Sequence, residues 1–154
     1  MNWINNVVRP KIRGLLPARR EPPDNFWFKC GGCGQMADRK ALESNAFVFP
    51  CCGHHERVGA DDRLKMIFDD GAYTRVTVKP VTSDPLKFRD GQRYTDRIKA
   101  AKTKTQLEDA VLVGEGKVAG CEVVAAAQDF GFMGGSLGMA AGEAVITGML
   151  RAVE

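Results

Sequence analysis

The 154 residues hold no apolar run approaching the ~20 that a membrane-spanning helix needs. The start has no apolar core followed by a small-residue cleavage site, so no secretory signal is read and the expected compartment is cytoplasmic. Histidine is scarce, with two in all. No Ser/His/Asp set and no Cys/His nucleophile is recognised, so covalent catalysis by a side-chain nucleophile is not expected. Neither sign of charge dominates. Lys and Arg total 22 against 19 Asp and Glu, and a net charge of +3 does not by itself imply nucleic acid. What remains is an ordinary globular composition, 44% hydrophobic and 27% charged. The length fits one domain, or a small module plus most of another.

Cysteine is present in a pattern. Four of the five lie between Cys30 and Cys52, as two pairs bracketing 17 residues. In a zinc ribbon each Cys-x-x-Cys occupies a tight turn, so that two thiolates converge on one tetrahedral ion. Cys30-Gly31-Gly32-Cys33-Gly34 is a complete knuckle. The second is defective, because Phe49 stands three residues before Cys52. Cys51, His54 and His55 compete for the fourth position, Cys51 first among them. The competing reading is a metal-free hairpin packed around Phe47, Val48 and Phe49. Clustered pairs without a secretory context point to metal rather than disulfides, and a Cys51–Cys52 bridge would be strained.

Residues 1–23 read as a basic arm. Arg9, Lys11, Arg13, Arg19 and Arg20 precede the first acid, Glu21, and four prolines break any long helix. Residues 24–58 form the cysteine module, with strands expected at Phe26–Phe28 and Phe47–Phe49 and a strand and turn from Met36 to Leu42. A helix is predicted over 60–71, with Leu64, Ile67 and Phe68 on one face and Gly71 as its stop. Tyr73, Val76 and Val78 read as extended. Asp84-Pro85-Leu86-Lys87-Phe88 is a turn in which Pro85 restricts Asp84 to extended geometry. A second helix spans Arg93–Gln106, its lysines forming a solvated face.

Further strands are expected at Ala110–Val113, Val118–Ala126 and Phe130–Met133, with Gly114-Glu115-Gly116 as a turn. The apolar Val118–Ala126 strand is expected to be buried on both faces, with Cys121 in the core. Gly134-Gly135-Ser136-Leu137-Gly138 then turns into a helix from Met139 to Val153. Glycines there let the backbone approach a ligand, and a helix N-terminus suits negative charge. Gly134, Gly135 and Ser136 are therefore candidate cofactor-binding residues.

Several stretches together resemble a known family. These are Met1-Asn2-Trp3, Trp27-Phe28-Lys29-Cys30, Pro50-Cys51-Cys52-Gly53-His54-His55, Asp84-Pro85-Leu86-Lys87-Phe88 and the long run Ala127-Gln128-Asp129-Phe130-Gly131-Phe132-Met133-Gly134-Gly135-Ser136-Leu137-Gly138. The chain is similar to the β-subunit of bacterial acetyl-CoA carboxylase carboxyltransferase over essentially its whole length. The resemblance implies an α/β chain, a small N-terminal zinc ribbon followed by the first part of a crotonase-like ββα spiral domain over 59–154. It implies zinc on Cys30, Cys33, Cys51 and Cys52, and acetyl-CoA as substrate near Gly134, Gly135 and Ser136. Biotin would be carried on a separate protein. The implied reaction moves a carboxyl group from carboxybiotin to acetyl-CoA, giving malonyl-CoA for fatty acid synthesis. Implied partners are the carboxyltransferase α-subunit, the biotin carboxyl carrier protein and biotin carboxylase, with no membrane.

Two departures stand out. Phe49 replaces a family cysteine, and the family's later Ser-Gly-Gly-Ala-Arg-type segment, which supplies oxyanion donors, is absent. The expectation is a chain equivalent to the first half of that subunit, inactive on its own. The alternatives are a nucleic-acid-binding ribbon, using Arg39, Lys40 and Arg57 with the basic start, and a non-catalytic assembly subunit.

Overall fold

The computed structural model describes residues 27–154, so the expected basic arm of residues 1–23 lies outside the described residues. The chain divides into two compact units, Met1–Glu56 and Arg57–Glu154. The described residues form a mixed α/β structure with two small antiparallel sheets.

In the first unit, strands β1 (Trp27–Lys29) and β2 (Met36–Asp38) pair antiparallel, with Phe28 opposite Ala37. The chain then enters a short helix, α1 (Arg39–Ser44), where a turn was expected. Asp38 explains the switch: its carboxylate accepts the Ala41 amide at 2.9 Å, which is an N-cap. After α1, Ala46 and Phe47 both take positive φ, 52° and 60°. The predicted Phe47–Phe49 strand therefore shrinks to one bridge between Val48 and His55. Cys30, Leu42 and Phe49 form the core of this unit, with Phe28 and Ala37 against it.

The second unit is built on a three-stranded sheet, ordered β3 (Tyr73–Arg75), β4 (Val111–Val118), β5 (Cys121–Gln128). Helix α2 (Ala60–Ile67) packs on one face and α4 (Met139–Val153) contacts both β4 and β5. Strands β4 and β5 with α4 make one ββα unit. Leu64 and Phe68 are buried as expected, but Ile67 is exposed. The helix stops at Ile67, because Phe68 is extended (ψ 148°), and a 3₁₀ turn over Asp69–Gly71 follows. Helix α3 (Tyr94–Thr105) ends on Gln106 in the left-handed region, as the predicted span requires. In the Asp84–Phe88 turn, Asp84 has φ 51° rather than the extended geometry expected before Pro85. Its side chain accepts the Phe88 amide at 2.8 Å, the local bond that lets Asp tolerate this region.

The hairpin turn lies elsewhere than expected. Gly114-Glu115-Gly116 is inside β4, and the turn is Ala119-Gly120, both at positive φ. The two strand glycines serve packing. A Cβ on Gly114 would meet the Tyr73 ring at 2.6 Å, and one on Gly116 the Phe68 ring at 2.9 Å. These rings stack on each other, with centroids 5.6 Å apart, and approach the strand closely because the glycines leave room. Asp69 closes the same corner by accepting the Ala119 and Gly120 amides, each at 2.9 Å.

Strand β5 is less buried than its apolarity suggests. Ala127 is buried, Val124 and Ala125 are half-buried, and Cys121, Val123 and Ala126 are exposed. Cys121 is thus not a core residue. The large exposed apolar side chains gather instead on α4, at Ile146, Met149, Leu150 and Val153.

Candidate metal centre and glycine turn

The two knuckles have the same backbone design. In the first, Cys30 N–H donates to the Gln35 carbonyl at 2.8 Å and Gly34 N–H to the Cys30 carbonyl at 3.0 Å. In the second, Phe49 N–H donates to the His54 carbonyl and Gly53 N–H to the Phe49 carbonyl, both at 2.8 Å. Gly34 and Gly53 carry the matching positive φ, 75° and 72°. Phe49 therefore occupies the position of Cys30, and Cys52 that of Cys33. The Phe49 ring is fully buried where a first ligand would point.

Cys51 brings a fourth sulfur to the cluster. Its Sγ lies 3.2 Å from that of Cys33, and Cys30 and Cys52 are 3.4 Å apart. All four sulfurs fall within 4.8 Å of one another. A tetrahedral ion with zinc–sulfur bonds near 2.3 Å separates its ligands by about 3.8 Å, so the cluster suits that geometry. The Gly32 and Cys33 amides point at the Cys30 sulfur, at 3.4 and 3.5 Å. Neither histidine joins the cluster among the described residues. The His54 ring lies across Gly31 and Gly32 instead, close enough that a Cβ on either would touch it at 3.2–3.3 Å.

Four thiols this close cannot ionise independently. The Gln35 amide, and after it the Cys51 thiol, draw Cys33 down to about 7. The hydrogen bond to Cys33, ahead of desolvation, keeps the shared proton on Cys51 and pushes it up to about 12. At Cys52 the His54 amide pulls the pKa down, but the Cys30 thiol and desolvation outweigh it, and the group is raised. A bound divalent cation would compensate all four thiolates at once.

The glycine run lies in the second unit. β5 ends at Gln128, and the expected strand Phe130–Met133 is a turn. Asp129 diverts the chain, since its Oδ1 accepts the Gly131 amide at 2.7 Å. A 3₁₀ turn over Met133–Gly135 follows, with Gly134 at φ 70° and Gly135 at φ 74°. Helix α4 begins later, at Met139 with Gly138 as N-cap, so Gly134, Gly135 and Ser136 precede the helix rather than open it. Gly135 is buried, donates its amide to the Phe132 carbonyl at 2.8 Å and accepts at its carbonyl from Gln128 Nε2. Gly134 and Ser136 are exposed.

Sequence reasoning missed Gln128 and Asp129 as parts of this site. Asp129 Oδ2 also accepts the Ala60 amide at 2.8 Å, capping α2 from 69 residues away. No local signal shows that bond, although Gly59, which has no side chain to cap with, was a hint. On α3, Arg97 pairs with Asp90 at 2.5 Å, Arg93 with Asp96 at 3.4 Å and Lys102 with Glu108, as a solvated face does. An open hollow of 430 Å³ beside it is lined by Arg89, Gln92, Arg93 and Asp96. No helix among the described residues is long and apolar enough to cross a membrane.

The carboxyl transferase domain family matches residues 68–154. Over all 154 residues the chain is 58% identical to the acetyl-coenzyme A carboxylase carboxyl transferase subunit beta of Azorhizobium caulinodans, covering 52% of that protein. The subunit beta of Xanthobacter autotrophicus is also 58% identical, with 52% covered. That of Nitrobacter hamburgensis is 56% identical, with 48% covered. The chain thus spans about half the length of the curated relatives it matches. The family match takes in more than half of the chain, including the ββα unit and its glycine turn, and this chain belongs to the carboxyl transferase domain family.

Proposed function

We propose that these 154 residues act as part of an acetyl-CoA carboxylase carboxyltransferase β-subunit, in the transfer of a carboxyl group from carboxybiotin to acetyl-CoA. The observation that carries the reading is 58% identity along the full chain to proteins of that name. Residues 24–58 are a zinc ribbon. Cys30, Cys33, Cys51 and Cys52 hold the ion, which supplies a cross-link that a module this small needs in order to stay folded. Residues 59–154 are the first part of a crotonase-like spiral, of which β4, β5 and α4 form one repeat. The partners are an α-subunit, a biotin carboxyl carrier protein and biotin carboxylase, and the setting is cytoplasmic.

The chemistry needs an enolate at the acetyl methyl carbon, and the charge on the thioester oxygen must be met by fixed donors. In this chain Gly134 and Ser136 present exposed backbone to an acyl-CoA. Arg89 offers positive charge to its phosphates, beside Arg93, which is itself paired with Asp96. The 154 residues contain no Ser-Gly-Gly-Ala-Arg-type segment, and no oxyanion donor is assigned among them. No side-chain nucleophile is required. A nucleic-acid role for the ribbon has less support, because Arg39 is already paired with Glu43 at 2.5 Å.

The test is malonyl-CoA formation with an α-subunit and carboxybiotin. This chain alone should be inactive, and supplying the remaining half of a relative's β-subunit in trans should restore turnover. Turnover without that half defeats the division of labour. No turnover with it, from a complex shown to assemble, defeats the functional reading.

A further inference from the structure

The turn from Asp129 to Ser136 is secured at its far end by Gln128, a side chain that the chemistry described above does not use. Gln128 is the last residue of β5, and its Nε2 donates to the Gly135 carbonyl across seven residues. The amide also packs on the glycine. A Cβ at Gly135 would meet Gln128 Nε2 at 3.2 Å and Cδ at 3.5 Å. The near end is tied by the neighbouring residue, through Asp129 N–H to the Ala110 carbonyl at 2.7 Å and Asp129 Oδ1 to the Gly131 amide. Between the ties, Phe132 is buried against Ala101, Leu107 and Ala110. Three successive residues, Met133, Gly134 and Gly135, hold positive φ. Such backbone persists where its surroundings over-determine it. Gln128 is a contact that reads the last of the three.

We propose that Gln128 is a positioning residue for acyl-CoA: by holding the Gly135 carbonyl inward it turns Gly134 and Ser136 toward the ligand. This rests on the functional reading above. The device works through donation, since a carbonyl oxygen accepts and the side chain must supply the N–H. A misplacement of about 1 Å in a substrate-positioning loop is enough to slow a reaction strongly.

The experiment uses the full chain with Gln128→Leu and Gln128→Glu, the second matching glutamine in size but unable to donate at neutral pH. Hydrogen exchange is followed first, without any activity assay. Both variants should speed exchange in the 131–138 peptide while leaving protection of β4 and β5 unchanged. In the complex with the α-subunit and the supplied half, both should raise the KM for acetyl-CoA roughly tenfold, with a smaller change in kcat. The KM for carboxybiotin should not move. Unchanged exchange, or a Gln128→Glu variant indistinguishable from wild type, overturns the proposal. So does loosened exchange with an unmoved acetyl-CoA KM. A wild-type complex that assembles and makes no malonyl-CoA refutes the functional reading instead. The exchange result then still decides whether Gln128 orders the turn.

Discussion

Phe49 and Cys30 occupy equivalent positions in two matching knuckles, each donating its amide to a carbonyl five residues on and accepting from the amide four residues on. One carries a thiol and the other a buried ring. The fourth sulfur of the cluster comes from Cys51, one residue before Cys52 and 3.2 Å from Cys33.

Purified chain should therefore contain close to one equivalent of zinc, measured by elemental analysis. Cys51→Ser should lower occupancy, whereas His54→Ala and His55→Ala should not, since neither imidazole joins the sulfurs. Affinity should fall with decreasing pH, because thiols must lose protons to bind. Full zinc retention in Cys51→Ser would reject Cys51 as a ligand.

The knuckle equivalence makes a sharper prediction for Phe49. By itself, Phe49→Cys should destabilise the chain by about 2–4 kcal/mol, because the ring is fully buried beside Leu42. It should not tighten zinc binding while Cys51 is present. In the Cys51→Ser background it should restore zinc, since residue 49 holds the first-ligand backbone. A zinc competition titration of the two single variants and the double variant measures this.

Two glycine substitutions separate packing from backbone conformation. Gly114→Ala places a Cβ 2.6 Å from the Tyr73 ring and should cost about 1–3 kcal/mol. Gly120→Ala meets nothing within 4 Å but keeps φ at 79°, and should cost about 1 kcal/mol. Urea midpoints compare them. Equal and negligible effects would contradict both the packing at β4 and the turn at Ala119-Gly120.

Asp61 ties α2 to β3. Its carboxylate takes Lys65 Nζ at 2.6 Å, the Tyr73 hydroxyl and Arg75 at 2.7 Å, and Lys65 above all holds its pKa well below the ordinary carboxylate value. A depressed folded value means the stabilisation is present above the unfolded pKa and is lost as pH falls below about 4. Asp61→Asn should therefore be less stable than wild type near pH 7, by a few tenths to about 1 kcal/mol for so exposed a network. The two proteins should converge as the pH is lowered. A stability difference independent of pH would remove Asp61 as the cause.

The chain by itself should self-associate at micromolar concentration, because Ile146, Met149, Leu150 and Val153 expose an apolar face on α4. Light scattering should show the mass falling toward that of a monomer in Ile146→Glu/Leu150→Glu. A wild-type monomer at all concentrations would contradict this.

What the sequence determined by itself are the features encoded in residue type at short spacing. The cysteine pairs mark the knuckles, the 3.6-residue pattern finds α2 and α3, and the run from Ala127 to Gly138 carries the family resemblance. Tertiary structure decided whatever depends on a partner distant in sequence. Gly114 and Gly116 look like a turn until the rings of Phe68 and Tyr73 are laid on them. Asp129 looks like a loop residue until Ala60 reaches it across 69 positions. Cys51 beside Cys52 looks outward-facing until the second knuckle folds, with Phe49 inward and the spare thiol at Cys33. A side chain's role is legible in sequence when its partners are neighbours, and is set by the fold when they are not.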